Sequence, residues 1–170
     1  MLEFYFLRSS EQKIVTDTLR CIYGDDALSN KSLNIYYEYY GLTPKDLGLY
    51  VMHNNIVAGA IWSRKFQPYH NAKGFIDEKT PLIHCCIKPE FRHQGIGSAM
   101  VEKFLQEASS LYKAVAICLD KDAQAISFFQ KFGFTQVAQK DNDSILRIEL
   151  TQTNNKPYEM DEFNNCKWLD

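Results

Sequence analysis

Ile87-Lys88-Pro89-Glu90-Phe91-Arg92-His93-Gln94-Gly95-Ile96-Gly97-Ser98 is the stretch on which the fold turns, because it joins an apolar run to an amphipathic one. Ahead of it, Pro81-Leu82-Ile83-His84-Cys85-Cys86-Ile87 is apolar apart from one histidine, as suits a central strand buried on both faces. Behind it, Ile96, Met100, Val101, Phe104, Leu105, Ala108 and Leu111 recur at helical spacing and predict a helix to about Tyr112. A helix start carries backbone N–H groups without intrahelical partners and the positive end of the helix dipole. At the carboxyl edge of a strand such a start is an anion site. Gly95 and Gly97 lack a Cβ, so a bulky diphosphate can approach the backbone, while Arg92 adds positive charge and Ser98 a hydroxyl.

Working outward, residues 2–7 form a short apolar strand. Ser9-Ser10-Glu11 offers a cap to a helix carrying Ile14, Val15, Thr18, Leu19 and Ile22, which Gly24 ends. A second helix is expected over residues 30–40, stopped by Gly41. Residues 47–53 and 56–66 flank Asn54-Asn55, a turn of the kind that tolerates positive φ, and so predict a hairpin. Residues 67–79 are polar, carry Pro68 and Gly74, and read as a surface loop. Residues 114–119 are a further buried strand. Asp122 then caps a short helix bearing Ala125, Ile126, Phe128, Phe129 and Phe132, ended by Gly133. Residues 136–138 and 145–150 are closing strands about Asp141-Asn142-Asp143. The order β-α-α-β-β-β-α-β-α-β-β implies an α/β fold, of the α+β mixed-sheet kind, in one domain over residues 1–151. Residues 152–170 form a polar tail, docked or mobile.

A chain of 170 residues, 45% hydrophobic and 24% charged, suits one domain with a real core. No apolar run approaches the roughly 20 residues of a membrane span, so no membrane partner is expected. The first eight residues lack the basic start and cleavage site of a signal peptide. A net charge of −2 gives no general attraction for nucleic acid. The five cysteines, Cys21, Cys85, Cys86, Cys118 and Cys166, are odd in number and none is spaced C-x-x-C. They read as small buried hydrophobes in a reducing cytoplasm, not as a disulfide framework or a zinc site.

Three readings compete for the glycine turn. The plainest is a loop that needs glycine only for its dihedrals. A dinucleotide fingerprint needs a third small residue where Met100 stands, and would follow a first strand, although Asp120 at the end of the next strand is in its favour. A phosphate-binding P-loop needs a Gly-Lys-Ser/Thr that does not follow. The third reading is a coenzyme A pyrophosphate site. Residues 87–98 resemble motif A of the GNAT N-acetyltransferase superfamily, with its Arg/Gln-x-x-Gly-x-Gly/Ala signature. Asp122-Ala123-Gln124-Ala125-Ile126-Ser127-Phe128-Phe129-Gln130-Lys131-Phe132-Gly133-Phe134 is similar to the family's Asn-x-x-Ala-x-x-Phe-Tyr-x-Lys-x-Gly-Phe segment. With the hairpin, the resemblance covers roughly residues 47–150.

The resemblance implies a sheet splayed between its fourth and fifth strands, with acetyl-CoA as cosubstrate. Cys85, Cys86 and Ile87 would contact the pantetheine arm through the main chain. His93, Gln94, Gly95, Ile96, Gly97 and Ser98 would form the pyrophosphate loop with Arg92 at its entrance, and Asp122 and Phe129 would lie by the far end of the arm. It further implies direct transfer of an acetyl group to a primary amine, on a small molecule, a peptide N-terminus or a lysine. A backbone N–H of Cys85 or Ile87 would polarise the carbonyl. Two positions depart from the family pattern: Phe129 stands for the usual general-acid tyrosine and Asp122 for the usual asparagine. Where some members carry a strand glutamate, this chain has Pro81, leaving Asp77, Glu78 and His84 as candidate bases. Tyr69 and His70 either line the acceptor pocket or coat the surface. The same choice holds for Tyr36-Tyr37-Glu38-Tyr39-Tyr40, which either hold a cationic amine or pack. The alternative to an enzyme is a coenzyme A-binding sensor or interaction module with lapsed catalysis. Members of the family often pair through sheet edges or C-terminal segments, so a homodimer is possible.

Overall fold

The computed structural model describes residues 1–43, 45–120, 123–151 and 167–169. The described strands form one mixed sheet in the order β6 (Thr135–Lys140), β7 (Asp143–Glu149), β5 (Ala114–Asp120), β4 (Leu82–Ile87), β3 (Ile56–Arg64), β2 (Leu47–His53), β1 (Leu2–Phe6) and β8 (Lys167–Leu169). β1 (Leu2–Phe6) leads to helix α1 (Gln12–Tyr23), whose buried side Val15, Thr18 and Leu19 lies on the sheet. Gly24, with φ of 102°, ends α1 by returning its N–H to the Arg20 carbonyl. Within the expected Ser9-Ser10-Glu11 cap, no side chain bonds the helix start. Glu11 occupies the cap position, and its carboxylate instead accepts from the Arg8 N–H and the Tyr50 hydroxyl.

The helix expected over residues 30–40 is broken. Two 3₁₀ turns, Ala27–Ser29 and Lys31–Leu33, precede a single α turn, α2 (Asn34–Tyr37). Asn30 is extended and its side chain caps Ser32, which separates the pieces. Glu38 is extended and Tyr39 has φ of 61°, so the chain unwinds. The reason lies on another strand. The Arg64 guanidinium takes the carbonyls of Ile35, Glu38 and Tyr39 at 3.1, 2.5 and 3.4 Å, where further helix would have consumed them. Its Nε lies 3.2 Å from the Asp46 carboxylate, with both side chains nearly dry.

β2 (Leu47–His53) and β3 (Ile56–Arg64) form the expected hairpin, with Asn54 and Asn55 at φ of 51° and 63°. This is the conformation that a two-residue mirror turn demands. β4 (Leu82–Ile87) pairs antiparallel with β3 and parallel with β5 (Ala114–Asp120). Helix α3 (Ile96–Ala108) joins them, and α4 (Ala123–Gln130) leads to β6 (Thr135–Lys140) and β7 (Asp143–Glu149). Of the tail, residues 167–169 add β8 (Lys167–Leu169) antiparallel to β1, and the other tail residues beyond Thr151 lie outside the described residues.

Two cores result, one per sheet face. Phe4, Leu49, Ile61, Met100, Val101, Phe104 and Phe129 fill the α3 face. Leu7, Leu19, Tyr36, Tyr40, Trp62 and Leu82 fill the α1 face. The segment read as a surface loop, residues 67–79, is in part a strap across the α1 face. Tyr36 Oη accepts the Lys73 N–H at 2.8 Å, and Lys73 Nζ pairs with Asp143 on β7 at 3.0 Å. Next to Lys73, Gly74, at φ of 88°, lies so close to Cys118 on β5 that a Cβ would come within 2.6 Å of that side chain.

Arg64→Leu should therefore lower stability by about 3–5 kcal/mol, because it strands the buried Asp46 carboxylate and three carbonyls. Urea unfolding measures this. Arg64→Leu with Asp46→Leu should recover part of the loss, since no lone charge is then left buried.

Candidate active site

β4 and β5 are paired only at Leu82–Ala116 and Ile83–Ile117, and from there they part. On its other side β4 stays bonded to β3 through Ile87. Its last residues therefore keep one strand partner and open the other edge. A cleft of about 810 Å³ fills the gap, bounded by Cys85, Cys86 and Ile87 on one side and by Phe128 and Phe129 of α4 on the other. The expected splay between the fourth and fifth strands is there.

At its outer end the cleft meets the glycine turn. Pro89–Phe91 makes one 3₁₀ turn, and His93 and Gly95 then take φ of 60° and 79°. The reversal aims the start of α3 at the cleft. The first helical bond runs from the Ala99 N–H to the Gly95 carbonyl, and no side chain caps the helix. The preceding N–H groups are therefore not consumed within the helix. A Cβ placed on Gly97 would lie 3.5 Å from Ile87 and 3.6 Å from Phe128, so this glycine keeps the space between the two walls open. Arg92, His93, Ser98 and Lys131 line the same end, and their cationic and hydroxyl groups suit an anion.

Not every expected residue arrives there. Gln94 is exposed, with its amide donating to the Glu90 carbonyl at 3.2 Å, and the Ile96 side chain is buried in the α3-face core. These two can serve only through their backbone. Arg92 is partly engaged, with its Nε donating to the Ile87 carbonyl at 2.8 Å. Asp122 lies outside the described residues. Phe129 lines the cleft but is packed against Phe128 and Phe134. Gln124, Ser127, Phe128 and Lys131 also line it, although the sequence reading passed over them as pocket residues. Counted from Gln124, the others stand three, four and seven residues on, along one face of α4 and the first residue after it, and that was the available signal.

The candidate bases separate by place. Asp77 and Glu78 are exposed and precede the paired end of β4. At about 3.3 Å per residue, that end is roughly 16 Å from Ile87. Slight burial works against the charged form of Asp77, but the Lys79 and Thr80 N–H groups it accepts outweigh this and hold its carboxyl below the usual range. His84 is next to Cys85, on the α1 face, stacked on Trp62 with ring centres 4.5 Å apart and against Tyr36 at 4.6 Å. Its Nδ1 has no hydrogen-bond partner among the described residues, and burial pushes its pKa down to about 3. Tyr36 and Tyr40 are core residues, so packing explains them, whereas Tyr39 is exposed. Tyr69 is exposed too, and His70 Nδ1 accepts the Gln67 N–H, so this pair coats the surface.

The cysteine expectation needs correction. Cys21 of α1 and Cys86 of β4 are joined by a disulfide, their Cα atoms 6.2 Å apart. Strand alternation explains it: Cys85 faces α3, so Cys86 faces α1. Only the packing of α1 on β4 brings residues 65 positions apart together.

Residues 45–136 match the family model described as an acetyltransferase (GNAT) domain. No curated protein sequence is similar enough to this chain to count as a relative. Among solved structures, Escherichia coli ElaA shares 19% identity at a TM-score of 0.64, over 88% of this chain and 100% of that one. YncA of Salmonella typhimurium, a putative acetyltransferase solved with its cofactor acetyl-CoA, shares 16% at 0.63, over 91% and 97%. The PaiA N-acetyltransferase of Thermoplasma acidophilum, solved with coenzyme A, shares 15% at 0.60, over 88% and 99%. At these identities the likeness is one of fold.

The low pKa of His84 has a consequence for stability. An unfolded histidine takes up a proton below about pH 6.5, and the buried one does not until about pH 3. The unfolded state is thus favoured by about 1.4 kcal/mol for each pH unit of descent through that window. Between pH 7 and 5, wild type should lose about 2 kcal/mol more than His84→Phe in parallel urea titrations.

Proposed function

This chain belongs to the GNAT acetyltransferase family, and from that premise we propose that it transfers an acetyl group from acetyl-CoA to a primary amine by direct attack. The observation that carries the reading is the meeting of the open β4 edge with the uncapped start of α3 in one cleft. The pyrophosphate sits on the backbone of residues 93–98, with Lys131 beside it and Arg92 at the entrance, its side chain turned to the Ile87 carbonyl. The pantetheine arm runs along Cys85, Cys86 and Ile87 like an added strand, with Phe128 and Phe129 as its apolar wall. Asp122 remains in the proposed site by its place in the motif.

The acceptor enters from the α1 face, where Tyr23, Tyr36 and His84 pack around the splay. Asp120 and Asp143 stand opposite one another on β5 and β7 at its rim. Asp143 is already paired with Lys73, so the charge left at this rim is that of Asp120, and it favours a cationic amine over a neutral or anionic acceptor. The amine nitrogen attacks the thioester carbonyl, the C–S bond breaks, and the nitrogen gives up a proton. A strand N–H, of Cys85 or Ile87, stabilises the developing oxyanion. His84 is the candidate base nearest the splay. With its low pKa it takes the proton only in passing, and water carries it away. Asp77 and Glu78 reach the acceptor only through water or movement of the strap. Phe129 has no proton to give, so the thiolate leaves unprotonated or takes a proton from water.

Two measurements test this reading. Thiol release from acetyl-CoA should rise with a primary amine from a panel of small, peptide and lysine-bearing acceptors. No stimulation by any of them, with acetyl-CoA binding proven, overturns the amine reading. Gly97→Trp should abolish acetyl-CoA binding in calorimetry while circular dichroism stays native, because the indole fills the space between Ile87 and Phe128. Unchanged affinity in that variant refutes the placement of the site.

A further inference from the structure

We propose that the Cys21–Cys86 disulfide is a thiol-exchange site at which free coenzyme A, but not its acyl thioester, becomes covalently attached to Cys86. The inference rests on the reading that coenzyme A occupies the cleft. Three features of the chain's own residues carry it.

The first is access. Cys86 lines the cleft where the pantetheine arm is placed, and it also lines a second groove of about 380 Å³ beneath α1. Cys21 lies on the groove side, with Ile14, Thr18 and Ala60. A thiol arriving along β4 therefore meets the Cys86 sulfur, with Cys21 behind it as the leaving sulfur. The second is charge. Exchange passes through an attacking and a departing thiolate, and a nearby cation favours both. Arg92 Nη2 lies 3.8 Å from Cys86 Sγ and 3.9 Å from Cys21 Sγ, held there by the bond from its Nε to the Ile87 carbonyl. The third is the contrast with the other described thiols. Cys85 faces α3, and burial pushes it up to about 12. Cys118, under the strap, is pushed up to about 11, by burial first and the Asp143 charge next. Neither is set to exchange.

The step balances without an outside oxidant. The coenzyme A thiolate forms a bond to Cys86 Sγ, the Cys86–Cys21 bond breaks, and Cys21 departs as a thiolate beside Arg92. Coenzyme A is oxidised to a mixed disulfide and Cys21 is reduced. Acetyl-CoA has no free sulfur and passes unreacted, so the site distinguishes product from substrate. Attack by Cys21 on the Cys86 sulfur of the adduct reverses the step and frees the cleft.

The test uses the full chain, mildly oxidised, then freed of oxidant and kept anaerobic. It is incubated with coenzyme A, acetyl-CoA or glutathione, alkylated, and mapped by mass spectrometry without reductant. The expected result is one coenzyme A on the Cys86 peptide, newly alkylated Cys21, and no adduct from acetyl-CoA. Half-conversion should need roughly tenfold less coenzyme A than glutathione, because the cleft raises the local thiol concentration. Dithiothreitol should remove the adduct. Cys21→Ser, which has no leaving thiolate, should bind acetyl-CoA and form no adduct. An adduct on Cys21 or Cys85, glutathione as effective as coenzyme A, an adduct in Cys21→Ser, or alkylation of both Cys21 and Cys86 before any thiol is added would each overturn the proposal. Acetyl-CoA binding in calorimetry without any adduct sinks this inference alone. No acetyl-CoA binding at all sinks the reading of the cleft on which it rests.

Discussion

The parting of β4 from β5 after two paired positions is the constraint on which the other features depend. Parallel strands bonded along their whole length would leave no edge to present and no room beyond it. Here the α3 crossover begins where the gap opens, and α4 sets Phe128 and Phe129 across it. The arrangement leaves strand backbone beside a cleft instead of against a neighbour, which is tolerable only where water or a ligand can satisfy it. In the proposed function that opening is the cofactor slot, and the same opening makes Cys86 accessible from the cleft.

The opposite face of the sheet is held rigid by a different device. Arg64 reaches from β3 to end α2, and its pairing with Asp46 fixes the segment that carries Tyr36. Tyr36 in turn holds the strap through the Lys73 N–H, and Lys73 reaches Asp143 on β7. The α1-face wall is thus built from long-range polar contacts laid over an aromatic layer of Trp62, His84 and Tyr36. Preorganisation of this kind suits the proposed reaction, which depends on positioning because Phe129 has no proton to give.

Much of this was legible in the chain. The Asn54-Asn55 hairpin, the apolar run of β4, the glycine turn and the Phe-rich α4 all appeared at their places, because each rests on local periodicity or turn chemistry. The pocket face of α4 was legible too, from the spacing of Gln124, Ser127, Phe128 and Lys131, but only once a cleft gave that face a meaning. The helix over residues 30–40 failed because propensity along the chain does not know that Arg64 will claim its carbonyls. The loop over residues 67–79 looked solvated, since nothing local reveals that Tyr36, Cys118 and Asp143 lie beneath it.

By itself the sequence determined the order of elements, the turn at Gly95 and Gly97 and the family to which it points, since these depend on residues within a few positions of one another. Tertiary structure decided which of the candidate groups meet. It placed Asp77 and Glu78 at the far end of β4, sealed His84 against Trp62, turned the Gln94 and Ile96 side chains away from the cleft, and joined Cys21 to Cys86. Those outcomes depend on strand pairing and helix docking between segments far apart in the chain, and local sequence carries no record of such distances.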